Sequence, residues 1–98
     1  MWIEHVLPEN PVDEWFESFP SADHQRMKDL LANLLPLSQE MNAALGNRIY
    51  RDKRTAYMND SAFKVAREFA DDYEEWTPDK VRERGEGIAL WAIERWPH

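Results

Sequence analysis

Residues 1–8 read Met1-Trp2-Ile3-Glu4-His5-Val6-Leu7-Pro8, an apolar run that carries an acid and an imidazole side by side and is closed by a proline. The β-branched and aromatic residues predict a strand over residues 2–7. Pro8 ends it because proline has no N–H to give to a ladder. Side chains alternate across a strand, so Trp2, Glu4 and Val6 share one face and Ile3, His5 and Leu7 the other. A Glu-His pair at a strand end can place a metal-binding oxygen and a proton-accepting nitrogen on two sides of one small site.

The pair gains meaning from a second stretch, Ala32-Asn33-Leu34-Leu35-Pro36-Leu37-Ser38-Gln39-Glu40-Met41-Asn42. Asn42 follows Asn33 by nine residues. Together the two stretches resemble the HNH, or ββα-metal, nuclease motif: an acid-His pair on a first strand, an Asn-Leu segment opening a second, and an Asn or His nine residues on, in the following helix. The closer resemblance is to the C-terminal nuclease domain of GmrSD-type modification-dependent restriction enzymes. It runs nearly end to end, through Ile3-Glu4-His5-Val6-Leu7-Pro8, Asn33-Leu34, Asn42, Asn47, Lys53, Tyr57, Ser61, Trp76-Thr77, Val81 with Arg84, and Trp96. Two departures stand out. Ala32 sits where this group usually has Gly, and the last ligand position is the uncharged Asn42.

The 98 residues suffice for one domain with one modest core. Hydrophobic residues at 43% and charged residues at 32% fit a globular chain rather than a disordered one. Five tryptophans suggest a core built on large rings. No apolar run approaches the roughly 20 residues that a membrane span needs, and the first residues lack the pattern of a signal peptide. With no cysteine, disulfides and thiolate zinc sites are excluded, so packing must hold any finger together. A cytoplasmic home agrees with this. The net charge of −7 counts against a free-standing nucleic-acid binder, whose affinity comes largely from Lys and Arg. The expectation is that another domain or subunit brings the DNA, and that residues 1–98 are the excised C-terminal part of a longer protein.

Along the chain, Asn10-Pro11 predicts a helix over about 11–18, and Ser21 a second over about 22–31, both inserted between the strands. A second strand is expected over 33–37, irregular or at an edge because of Pro36. Ser38 then caps a finger helix over about 39–46 with Gly46 at its end. Helices over about 47–58 and 62–73 follow. Thr77-Pro78 starts the last, reaching about Trp96. Its Gly85 and Gly87 would each weaken it by up to about 1 kcal/mol, which a close approach of another element would excuse. The fold class is therefore mainly α with a small β-hairpin, a ββα finger embedded in a helical domain.

The resemblance implies a metal-dependent DNA endonuclease, the effector of a restriction or phage-defence protein. An N-terminal sensor or NTPase region, or a partner subunit, would detect double-stranded, possibly modified DNA. His5 would be the general base, since an imidazole with an ordinary pKa of about 6.5 can take a proton near neutrality. Glu4 and Asn42 would bind the metal; their hard oxygens favour Mg²⁺ or Mn²⁺. Asn33 would fix the loop and orient His5. Lys53, Asn47 and Arg48 would contact substrate, from the one concentrated basic run of an acidic chain. Plainer roles stand beside these: a cap or salt bridge for Glu4, a helix-to-strand tie for Asn42, a turn former for Asn47, a solvated face for the basic run. His24 and His98 read as surface residues. The alternative function is a catalytically silent relative serving as an interaction domain.

Overall fold

The computed structural model describes residues 1–95. In chain order it contains β1 (Trp2–His5), α1 (Trp15–Ser18), α2 (Ser21–Met27), a 3₁₀ turn (Leu31–Asn33), β2 (Leu34–Leu37), α3 (Gln39–Leu45), α4 (Tyr50–Asp60), α5 (Lys64–Asp72) and α6 (Pro78–Arg95). The mainly helical class with one small sheet is as expected. Trp96, expected to close the last helix, and His98 lie outside the described residues.

β1 and β2 pair antiparallel, with Trp2 opposite Leu37, Ile3 opposite Pro36, Glu4 opposite Leu35 and His5 opposite Leu34. Pro36 is tolerated because the sheet has only two strands, so its missing donor need not break an inner ladder. Beyond the ladder the Val6 N–H donates to the Asn33 carbonyl at 2.9 Å, extending the join between the two segments.

The insertion between the strands is shorter in helix than expected. The Asn10-Pro11 signal does not start α1, which begins only at Trp15. Residues 12–17 instead form tight i→i+3 bonds, Trp15 to Val12, Phe16 to Asp13 and Glu17 to Glu14, the 3₁₀ pattern. Likewise the Ser21 side chain does not cap α2; Pro20 precedes it in an extended conformation and its carbonyl receives the His24 N–H.

The finger helix matches its signals closely. Ser38 Oγ accepts the Met41 N–H at 3.2 Å, and Gly46 ends α3 at φ 47°. Arg48 N–H then bonds to the Leu45 carbonyl, so Gly46 and Asn47 form a turn and α4 starts three residues later than expected.

Val6, Leu7, Leu35 and Leu37 drive the finger's apolar side into the core. There they meet Trp15, Phe19 and Met27 from the insertion and a ring cluster from the C-terminal half. In that cluster Phe69 lies edge-on to Trp76 at 4.7 Å and to Tyr57 at 6.2 Å, favourable orientations for aromatic pairs. The core is built on large rings as expected, with Trp15, Trp76, Phe19 and Phe69 buried, but not every tryptophan joins it: Trp2 and Trp91 are about half exposed. Gly85 does lie against another element, with the Ala32 methyl 3.7 Å from where its Cβ would sit, but Gly87 faces open space. Among the described residues no helix is long and apolar enough to cross a membrane.

Candidate active site

The alternation of β1 sends Glu4 inward and leaves His5 partly exposed. Glu4 is 2% exposed, and both of its oxygens are engaged. Oε1 accepts Asn42 Nδ2–H from α3 at 3.0 Å. Oε2 accepts the Tyr57 hydroxyl at 2.7 Å and faces Lys53 Nζ at 3.2 Å, both from α4. Burial raises the Glu4 pKa above its ordinary value, against the downward pull of Lys53, Tyr57 and Asn42. Burial also lowers Lys53 and raises Tyr57. The cap-or-salt-bridge role for Glu4 and the helix-to-strand tie for Asn42 are thus present as contacts; Asn42 also reaches the Ile3 carbonyl at 3.4 Å.

Lys53 is where the structure departs most from expectation. Its side chain is fully buried and donates to the carbonyls of His5 at 2.8 Å and Val6 at 3.0 Å as well as pairing with Glu4. It cannot contact DNA from there. A lysine in a basic run is ordinarily solvated, and nothing local reveals a carboxylate and two carbonyls arriving from almost 50 residues away.

His5 lies on the other side of the strand with its side chain 24% exposed. Nε2 is 3.2 Å from Asp29 Oδ1, and Nδ1 is 3.6 Å from Glu9 Oε1. The Lys28 ammonium holds Asp29 at 2.8 Å and, with the His5 contact, lowers its pKa. No sequence signal marked Asp29, which reaches His5 only through the fold of the insertion.

Asn33 is completely buried and uses its whole amide. Its Oδ1 accepts from Leu7 N–H at 2.8 Å and Trp76 Nε1–H at 2.9 Å; its Nδ2 donates to the carbonyls of Leu7 at 3.0 Å and Lys28 at 2.8 Å. Arg84 of α6 donates to the carbonyls on either side of it, Ala32 at 2.7 Å and Leu34 at 3.0 Å. The turn joining the insertion to β2 is thereby tied to β1 and to the C-terminal half. Trp76 and Arg84 could have been suspected only from the resemblance, since their partners are distant in sequence.

One open groove of about 600 Å³ is lined by Trp2, Glu4, His5, Glu9, Asn42 and Asn47 among others. It gathers four of the expected residues, Glu4, His5, Asn42 and Asn47. Asn33 and Lys53 stand behind it in the core. Arg48 is exposed beside α3, its Nε 3.4 Å from the Ala44 carbonyl. Asn47 Nδ2 donates to Asn10 O, and its own carbonyl receives Trp15 Nε1–H. His24, expected at the surface, is instead buried and hydrogen-bonded through Nε2 to the Pro8 carbonyl at 2.8 Å.

Among the described residues no three His, Cys, Asp or Glu side chains gather into a metal-binding group. The groove offers a carboxylate oxygen and an amide side chain, Glu4 and Asn42. That donor set suits a hard divalent cation that keeps most of its waters and takes one or two protein oxygens, and does not suit zinc.

The sequence profile described as GmrSD restriction endonucleases, C-terminal domain, matches residues 1–91. No curated protein and no solved structure matches the chain.

Proposed function

This chain belongs to the family of GmrSD restriction endonuclease C-terminal domains, and we propose that it is a metal-dependent DNA endonuclease of the HNH type. The observation that carries the reading is the meeting of Glu4, His5, Asn42 and Asn47 on one groove, from strand, helix and loop. In this reading Glu4 and Asn42 hold a Mg²⁺ or Mn²⁺ ion, which when bound offsets phosphate charge and stabilises the leaving oxygen.

His5 does the proton chemistry. In this reading Nε2 carries the hydrogen towards Asp29 Oδ1, 3.2 Å away, which leaves the Nδ1 lone pair as the proton acceptor, on the side of Glu9, itself part of the groove lining. A water there gives its proton to Nδ1 as its oxygen bonds to phosphorus and the bond from phosphorus to the 3′ oxygen breaks. The imidazole that takes the proton has Asp29 and Glu9 carboxylate oxygens at 3.2 and 3.6 Å from its two nitrogens. Asn33 and Lys53 keep the backbone about His5 in place, which leaves phosphate contact to Asn47 and the exposed Arg48.

The net charge of −7 supports delivery of DNA, modified or not, by an N-terminal sensor or NTPase region or a partner subunit in a cytoplasmic defence system. The occupied carboxylate of Glu4 favours a second reading, a silent relative used as an interaction domain. A small phosphodiester separates the two because it needs no basic surface. Bis(p-nitrophenyl) phosphate with Mn²⁺ should release p-nitrophenolate with the wild type and not with His5→Ala. Equal, background-level release from both would favour the silent relative.

A further inference from the structure

We infer that Lys53 and Tyr57, one turn apart on α4, are positioning residues that restrict Glu4 to a single oxygen facing the groove while fixing the backbone of His5. Residues four apart on a helix share a face, and here that face is turned towards β1. Tyr57 Oη and Lys53 Nζ both approach Oε2, at 2.7 and 3.2 Å. Oε1 is left to Asn42 Nδ2–H at 3.0 Å, and Asn42 and Glu4 both line the groove. Two-oxygen binding of a cation by Glu4 is therefore blocked. The ammonium's other two bonds, to the carbonyls of His5 and Val6, tie the same lysine to the backbone of the proposed base.

A merely structural ion pair is the rival explanation. Buried pairs often contribute little net stability, because desolvation cancels their attraction. Outer partners of metal ligands, by contrast, typically change metal affinity about 10–100-fold when removed. The inference rests on Glu4 being a ligand, as proposed above, so the test must let the two ideas fail separately.

The measurement is Mn²⁺ binding to the metal-stripped chain, followed by the electron paramagnetic resonance signal of free Mn²⁺. Circular dichroism establishes that each variant is folded. Glu4→Gln should lose binding, and His5→Ala should retain it. Tyr57→Phe, which removes one hydroxyl and leaves the ring packing, should weaken binding about tenfold. Folded Lys53→Met should weaken it at least as much; if that variant does not fold, Tyr57→Phe decides alone. Wild-type affinity in Tyr57→Phe beside lost binding in Glu4→Gln would overturn the positioning role and keep the ligand. Unchanged binding in Glu4→Gln, or no binding by the wild type, would overturn the ligand and the positioning role with it.

Discussion

Each polar atom of the Asn33 amide is engaged inside the protein, twice as acceptor and twice as donor. Truncating it leaves buried partners unsatisfied, each a loss of roughly 1–3 kcal/mol. Asn33→Ala should therefore lower unfolding stability by about 3 kcal/mol in urea titration; a change below about 1 kcal/mol would mean that water replaces the amide. Glu4 makes a prediction with a sign. Its pKa is raised in the folded state, so its contribution is fully present below the ordinary value of 4.5 and is lost as pH rises through the folded value. In EDTA, the stability of the wild type relative to Glu4→Gln should fall as pH climbs through that window, read from unfolding midpoints at each pH. A difference that grows with pH would show that Lys53 and Tyr57 outweigh desolvation. At this scale the sequence was legible where chemistry is local: the Glu4-His5 pair and the spacing to Asn42 are printed in the chain. Lys53 and His24 were not legible, because each is claimed by carbonyls and, for Lys53, a carboxylate that only the fold brings near.

Helix α3 carries Asn42 to the groove, and its two ends decide where Asn42 sits. Ser38 caps the first turn with its side chain, and Gly46 closes the last at φ 47° and ψ −119°, a conformation that side chains with a Cβ rarely adopt. Ser38→Ala should cost about 1 kcal/mol. Gly46→Ala should cost about 1–3 kcal/mol through backbone strain alone, since the added methyl would meet nothing nearer than 3.9 Å. Thermal unfolding of the two variants checks both; a neutral Gly46→Ala would show that the turn relaxes freely. These caps were readable because a serine before a helix and a glycine after it act on their immediate neighbours. The insertion was harder. Asn10-Pro11 is a sound start signal, yet the chain there is drawn into tight turns by Trp15, which must bury its ring and give its indole N–H to the Asn47 and Arg48 carbonyls. Tertiary contact overrode the local cue.

Across the whole molecule, the C-terminal half acts as a brace for the finger. Trp76 and Arg84 hold the Asn33 turn, Tyr57 and Lys53 hold β1, and none of the four lines the groove. The broad design was legible because the two motif stretches and the cap signals call for a finger, and the lack of cysteine calls for one held by packing. What no linear pattern showed is that the basic run would surrender one lysine to the core. Burial of Lys53 withdraws one cation of that run from the surface of a chain of net charge −7, and with few phosphate contacts DNA binding by this chain alone should be weak and only shallowly dependent on salt. The most direct test of the account is cleavage of supercoiled plasmid at low ionic strength with Mg²⁺ or Mn²⁺, comparing the wild type with His5→Ala and Glu4→Gln. Metal-dependent conversion to open circles or linear DNA, abolished in both variants and by EDTA, is the predicted result. Equal cleavage by the wild type and His5→Ala would place the chemistry elsewhere and contradict the account.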